Sequence, residues 1–161
     1  MESIALFGGS FDPPHIGHRA IVEAAQNLKE IDKVVIMPAF LNPFKSQSHL
    51  APEKRLELVK DMFRGYKKVE VSDFEVLQKQ KVATITTVKH LLKTCDKIYL
   101  IIGADNLASL HKWKDYEELQ MLVTFLIAKR DNIKIPEKYI TLDVNENISS
   151  TEIRNKGKQS S

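Results

Sequence analysis

The sequence of 161 residues contains a single cysteine, Cys95, and no apolar run near the roughly 20 residues that a membrane-spanning helix needs. One cysteine rules out an internal disulfide and any multi-cysteine zinc site. Because Cys95 lies beside the apolar run 98–102, we expect a buried, inert thiol. The N-terminus leads directly into a predicted strand rather than into a signal peptide. These features favour a cytoplasmic protein that is neither secreted nor inserted into a membrane.

An excess of charge of either sign is also missing. Lys and Arg together number 24 and Asp and Glu 21, which gives a formal net charge of +3 at pH 7. No basic run is interleaved with aromatic residues, as a nucleic-acid groove would require. A composition of 43% hydrophobic and 28% charged residues is typical of one compact domain with a sizeable core. We expect a single domain over 1–161 that binds small anionic ligands and no nucleic acid; its oligomeric state stays open, a homo-oligomer included.

Short, apolar, β-rich runs alternate along the chain with stretches of helical spacing. The predicted strands are 3–7, 34–37, 69–71, 98–102, 123–128 and 139–144. The predicted helices are 16–28, 52–63, 84–93, 105–121 in one or two pieces, and a helix beginning at 149. This alternation indicates βαβ units, and therefore an α/β fold with a single doubly wound parallel sheet that binds ligands beyond the carboxyl ends of its strands. The long connection 38–51 is a candidate functional loop.

The stretch "FGGSFDPPHIGH" at 7–18 follows the first predicted strand, so its two glycines are expected at the carboxyl edge of the sheet. Glycines let main-chain N–H groups approach a phosphate, and a helix start attracts anions. His15 and His18 would share one face of that helix. Zinc ligands on a helix are usually four residues apart with a glutamate between them, and "GGSFDP" is not a dinucleotide fingerprint. For either histidine alone, a surface position after a turn is the simpler explanation.

A second polar segment, "ISSTEIR" at 148–154, has the form of a helix start. Ser149 followed by Glu152 three residues later matches a capping box. Its hydroxyls, free N–H groups and an arginine one turn on are suited to a polyphosphate. On its own, the segment is explained equally well as a capped helix with a surface arginine.

Together these segments resemble a known superfamily. "GGSFDPPHIGH" closely resembles the signature of the nucleotidylyltransferases, whose H-x-G-H element binds the phosphates of a nucleoside triphosphate, and "ISSTEIR" is similar to their I-S-S-T-x-I-R element. The stretch "IIGADN" at 101–106, followed by Trp113, resembles the nicotinate mononucleotide adenylyltransferase branch. The resemblance covers residues 3–154 and implies a Rossmann-like nucleotidylyltransferase fold.

The resemblance also implies roles for individual residues. Catalysis is implied for His15, His18 and Lys45, the last being the lysine of "NPFK" that approaches the phosphates. Acceptor binding is implied for Trp113, which would stack on the pyridine ring, and for Thr84, whose main-chain N–H would contact the nicotinate carboxylate. From the residues alone, a core tryptophan and an ordinary helix-start threonine remain open. ATP binding is implied for Gly8, Gly9, Ser10, Phe11, Gly103, Asp105, Ser150, Thr151 and Arg154.

The activity implied by the resemblance is transfer of the adenylyl group of ATP to nicotinate mononucleotide, which gives nicotinate adenine dinucleotide and pyrophosphate. Magnesium would arrive with ATP, and no metal site is expected in the protein itself. Three alternatives remain: a phosphopantetheine adenylyltransferase, whose first motif usually has Asn at the position of Ile16; a cytidylyltransferase; and a catalytically silent nucleotide-binding domain.

The chain departs from the branch pattern at three places. Ala83 stands where an aromatic residue usually precedes the threonine, and Asp131 and Asn132 stand where Pro-Gly is usual. Only seven residues follow Arg154. We therefore expect the C-terminal helix of the family to be shortened or absent.

Overall fold

The computed structural model describes residues 2–40, 50–129 and 133–144. Six strands in these ranges form one sheet in the order β3-β2-β1-β4-β5-β6, and every neighbouring pair is parallel. The strands are β1 (Glu2–Gly9), β2 (Lys33–Pro38), β3 (Val69–Val71), β4 (Cys95–Gly103), β5 (Val123–Ala128) and β6 (Ile140–Leu142). All six strands predicted from the apolar runs are therefore present, the first, second and fourth longer than expected and the sixth shorter.

Helices connect these strands within the described ranges. They are α1 (Ile16–Gln26), α2 (Pro52–Met62), α3 (Phe74–Leu77), α4 (Thr84–Leu91), a 3₁₀ helix (Ala104–Lys112) and α5 (Tyr116–Leu122). The predicted helix at 105–121 is divided into the 3₁₀ helix and α5, one of the two forms expected. The sequence did not predict α3, and the helix expected from 149 lies outside the described residues. No helix in the described ranges is long and apolar enough to cross a membrane.

The core consists of two layers, one on each face of the sheet. Side chains alternate along a strand, so Ile4 and Leu6 of β1 enter one layer and Ala5 and Phe7 enter the other. The helix residues buried in these layers are Ile85, Val88, Ala104, Leu110 and Leu119 in the first and Val22, Ala25 and Val59 in the second. Helices on both faces of a parallel sheet confirm the predicted doubly wound α/β fold.

Cys95 begins β4 and is buried. Burial is the largest of the effects that raise the pKa of its thiol. A thiol with a raised pKa forms little of the reactive thiolate, so the structure agrees with the inert cysteine expected from the sequence.

The strand order reverses between β1 and β4, and a ligand crevice is expected at that point. From β1 the chain proceeds outward to β2 and β3, then returns across β1 to β4 and continues outward to β5 and β6. In open parallel sheets, ligands bind outside the carboxyl ends of the strands at this reversal of strand order. Here those ends are Gly9 on β1 and Gly103 on β4. Two of the predicted motifs are therefore brought to the same edge.

Candidate active site

The first wall of the crevice is the loop that leaves β1. The strand continues through both glycines, with Gly8 opposite Met37 and Gly9 opposite Pro38 of β2. Phe11 then adopts a φ of 52°, a left-handed conformation that is uncommon outside glycine, and its side chain is only 2% exposed. A Cβ at Gly9 would lie 3.3 Å from the Phe11 ring, so glycine at this position lets the ring pack beneath the loop.

His15 and His18 cap the same helix for one another. His15 is the N-cap of α1, and its Nδ1 accepts the main-chain N–H of Gly17 at 3.1 Å. His18 reaches back, and its Nδ1 accepts the main-chain N–H of His15 at 3.0 Å. This is a capping box in which two imidazoles stand where a Ser or Thr and a Glu usually do. The two rings are stacked, with centroids 3.8 Å apart.

These contacts determine which nitrogen carries the proton. A main-chain N–H donates only to an unprotonated nitrogen, so each Nδ1 is an acceptor and the neutral ring holds its hydrogen on Nε2. Burial, and to a lesser extent the neighbouring charge of His15, lowers the pKa of His18 from 6.5 to about 3. At neutral pH, His18 is thus an uncharged donor through Nε2.

Aromatic packing supports the His18 ring from beneath. The Phe11 ring meets it edge-on with centroids 4.7 Å apart, and Phe7 lies at 6.1 Å. Phe7 and Phe11 also make an edge-on contact with each other at 5.4 Å. Because the Phe11 side chain is buried in this cluster, any contact between Phe11 and a nucleotide would be made by its main chain.

The opposite wall of the crevice starts at the end of β4. Gly103 is the N-cap of the 3₁₀ helix, and a Cβ there would lie 2.5 Å from an oxygen of the Asp105 carboxylate. The absence of a Cβ at Gly103 therefore leaves room for this position of the Asp105 carboxylate, which a larger residue would displace. Trp113 follows the 3₁₀ helix, partly exposed, and also packs against the core layer that contains Leu110. It is neither a wholly buried core residue nor a free surface ring.

Thr84 is the first residue of α4 and is half-buried, with Ala83 as the N-cap. No side chain caps this helix. The first N–H groups of a helix lack intrahelical acceptors and form the positive end of its dipole, so an anion is favoured there. The geometry at Thr84 is compatible with the carboxylate contact that the resemblance implies.

The structure thus places nine of the predicted site residues around the carboxyl edge of the sheet. Gly8 and Gly9 end β1, Ser10 and Phe11 lie in the loop after it, and His15 and His18 lie at the start of α1. Gly103 ends β4, and Asp105 and Trp113 follow it. Thr84 begins the helix that precedes β4. Lys45, Ser150, Thr151 and Arg154 lie outside the described residues, and their roles stay predictions.

Two polar arrangements escaped the sequence analysis. Arg55 on α2 is completely buried and donates to main-chain carbonyls around the β1 loop. Glu75 on α3 is buried and accepts the hydroxyl hydrogen of Thr87 at 2.6 Å. Burial raises the pKa of Glu75 to about 7, and the Thr87 bond opposes that rise. Neither residue has a sequence signal, since charged residues on helices are usually solvent-exposed.

Within the described ranges, no group of three or more His, Cys, Asp or Glu side chains is arranged to hold a metal ion. Main-chain N–H groups at helix starts and imidazole N–H groups lie at this edge of the sheet, and such donors recognise anions. The sheet order and this site at its reversal point are those of a nucleotide-binding α/β protein.

Comparisons with known proteins agree with that class. A family model described as cytidylyltransferase-like matches residues 6–156. A probable nicotinate-nucleotide adenylyltransferase of Sulfurimonas denitrificans is 58% identical over 154 residues, covering 96% of this chain and 85% of that protein. One from Nitratiruptor is 46% identical, covering 94% and 86%. The solved Plasmodium falciparum nicotinic acid mononucleotide adenylyltransferase, complexed with NaAD, has a TM-score of 0.76 at 22% identity, covering 96% of this chain and 83% of that chain.

The chain therefore belongs to the cytidylyltransferase-like family and, within it, to the nicotinate-nucleotide adenylyltransferases. The solved structure supports the fold alone, because its sequence identity is low.

Proposed function

We propose that this protein transfers the adenylyl group of ATP to nicotinate mononucleotide, forming nicotinate adenine dinucleotide and pyrophosphate. The observation that carries the proposal is the reciprocally capped pair His15 and His18 beside Gly8 and Gly9, at the reversal point of the sheet. Relatives with up to 58% identity that are named for this activity support the choice of acceptor.

The chemistry requires positioning more than proton transfer. An oxygen of the acceptor phosphate forms a bond to the α-phosphorus of ATP while the bond from that phosphorus to the pyrophosphate oxygen breaks. The attacking phosphate is already ionised, so no general base is needed. Catalysis then consists of in-line alignment and stabilisation of the charge on the transferring phosphoryl group.

His18 is suited to this task because its Nδ1 is occupied by the main-chain N–H of His15. Its Nε2–H is left to donate to a phosphate oxygen, and Phe11 fixes the plane of the ring. A donor held in place before the reaction costs no reorganisation when charge develops. His15 would make a second such contact. Lys45, Ser150, Thr151 and Arg154 are proposed to hold the rest of the triphosphate.

The acceptor would lie toward β4 and α4. Trp113 has the partial exposure that a stacking platform needs, and the N–H groups at Thr84 favour a carboxylate. Magnesium bound to ATP would supply neutralisation of the pyrophosphate charge. A cytoplasmic location stays a prediction from the sequence, and the oligomeric state stays open.

Product identification tests the proposal. The protein is incubated with magnesium and either ATP or CTP, together with nicotinate mononucleotide, nicotinamide mononucleotide or phosphopantetheine in parallel, and products are separated chromatographically. We expect the dinucleotide and pyrophosphate from ATP with nicotinate mononucleotide. Turnover only with phosphopantetheine or CTP would contradict it, as would nucleotide binding without any product.

A further inference from the structure

The side chain of Arg55 is 0% exposed, yet it carries a charge. Its guanidinium donates four hydrogen bonds to main-chain carbonyls: from Nη1 to Ser10 at 2.6 Å and Ala39 at 2.7 Å, from Nη2 to Phe40 at 2.6 Å, and from Nε to Leu50 at 3.3 Å. Four of its five donor hydrogens are thus used.

Burial of this cation has a cost that the surroundings must offset. Burial lowers the pKa of Arg55, while the nearby charges of Asp12 and Glu53 raise it. An apolar residue would fill the same space without that cost. A buried arginine that bonds only carbonyls among the described residues is therefore better explained by what it holds together than by stability alone.

The four carbonyls belong to three separate segments. Ser10 is in the loop that joins β1 to the histidine pair, Ala39 and Phe40 follow β2, and Leu50 precedes α2. Asp12, two residues beyond Ser10, accepts the main-chain N–H of Leu50 at 3.0 Å. Arg55 thus binds the carbonyl of Leu50, and Asp12 binds the N–H of Leu50. These two contacts attach the β1 loop to the start of α2.

We propose that Arg55, assisted by Asp12, is a positioning residue for adenylyl transfer: its guanidinium fixes the main chain of the β1 loop and thereby aims His15 and His18 at the phosphates. This rests on the proposed function. Three of the four carbonyls it binds follow the ends of β1 and β2, where the sheet no longer determines the path of the chain. A misplacement of about 1 Å at a reacting group can reduce the rate by roughly 10²-fold.

Two substitutions test the role of Arg55. Arg55→Met keeps most of the volume but removes every donor, and Arg55→Lys keeps the charge but cannot present a planar fork to four carbonyls. Arg64→Met is the control, because Arg64 is exposed near the end of the same helix. For each variant, kcat and the KM of both substrates are measured well below the melting temperature, with circular dichroism to establish the folded fraction.

We expect kcat per folded molecule to fall about 10²-fold in Arg55→Met and about tenfold in Arg55→Lys, with the KM for nicotinate mononucleotide within about twofold of wild type. A merely structural role would lower the melting temperature and leave kcat per folded molecule unchanged. A wild-type kcat in folded Arg55→Lys would overturn the proposal, as would failure of both variants to fold.

If the proposed function is wrong, the wild-type protein itself makes no dinucleotide, and this result is distinct from any difference between the Arg55 variants and wild type. The role of Arg55 is then decided by calorimetric titration with ATP and magnesium without an acceptor. Arg55→Lys should bind ATP about tenfold more weakly than wild type, and an unchanged affinity would overturn the role.

Discussion

The Nδ1 of His18 accepts the main-chain N–H of His15, while the Nδ1 of His15 accepts that of Gly17, so the two imidazoles fix one another at the start of α1. Each ring is locked with its hydrogen on Nε2. Histidines that are only surface residues would not be expected to make these reciprocal contacts with the main chain. The same two side chains that cap the helix are those proposed to recognise phosphate.

Replacement of His18 should separate these two roles. His18→Ala removes both the cap and the Nε2–H donor, whereas the side-chain oxygen of Asn in His18→Asn can still accept the N–H of His15. Both variants should lower kcat by roughly 10²–10³-fold, the scale of losing one donor to the transition state. Only His18→Ala should also lose roughly 1 kcal/mol of stability, because a helix cap is removed.

Steady-state kinetics and urea unfolding are the measurements for His18. His90→Ala is the imidazole control, since His90 is exposed in the last turn of α4 and stacks on Phe74. An unchanged kcat with a raised KM for ATP would show that His18 binds substrate and transition state equally, which would contradict the proposed role.

Trp113 should contribute affinity for the acceptor and little selectivity. A pyridine ring of either acceptor can stack on the indole, so Trp113→Ala should raise the KM for nicotinate and nicotinamide mononucleotide by a similar factor, about tenfold for the loss of about 1–1.5 kcal/mol. Selectivity should instead depend on the helix start at Thr84, whose dipole rewards only the carboxylate.

Trp113→Phe is the matched variant, because it keeps an aromatic face and part of the contact with the core layer. It should recover most of the acceptor affinity. Unchanged acceptor KM values in folded Trp113→Ala would assign the residue to the core alone, and a change in the preference ratio would contradict the division of roles.

The buried carboxyl of Glu75 should make stability depend on pH. Its pKa is about 7 in the folded protein against an ordinary value of 4.5, so folding favours the protonated form. Below about pH 4.5, Glu75 does not lower the free energy of unfolding. As pH rises from about 4.5 to about 7, the free energy of unfolding falls, because only the unfolded chain readily loses the proton. Above about pH 7 it falls no further. The full penalty is on the order of 3 kcal/mol.

Glu75→Gln removes the charge and keeps an oxygen that can accept the Thr87 hydroxyl hydrogen. In urea unfolding, the stability of this variant relative to wild type should rise between about pH 4.5 and pH 7 and stay level above that. Glu57→Gln, at an exposed position on α2, should show no such trend. A constant difference between Glu75→Gln and wild type across that range would contradict the raised pKa.

Much of the fold could be predicted because the strands are short apolar runs bounded by turn residues, and their alternation with helices fixes the sheet type. The four-residue helix Phe74–Leu77 could not, since it is too short for a periodic pattern. The left-handed conformation of Phe11 was equally inaccessible, because the packing of its ring under Gly9 and His18 stabilises it.

The candidate site was predictable where its chemistry is local in sequence. His15, His18 and the glycines occupy one short segment, so spacing and resemblance identified them together. Arg55 and Glu75 act through partners that are distant in sequence: Arg55 contacts Ser10, 45 residues away, and Glu75 contacts Thr87, 12 residues away. Only the tertiary structure reveals that these charges are buried and what they hold.

The fate of the α-phosphate of ATP tests the central claim most directly. The protein is given nicotinate mononucleotide, magnesium and ATP labelled at either the α- or the γ-phosphate, and the labelled products are separated. Adenylyl transfer through the site at His15 and His18 predicts α-label in the dinucleotide and γ-label in pyrophosphate, with both formed roughly 10²–10³-fold more slowly in His18→Ala. Release of γ-label as inorganic phosphate, or a dinucleotide without the α-label, would contradict it.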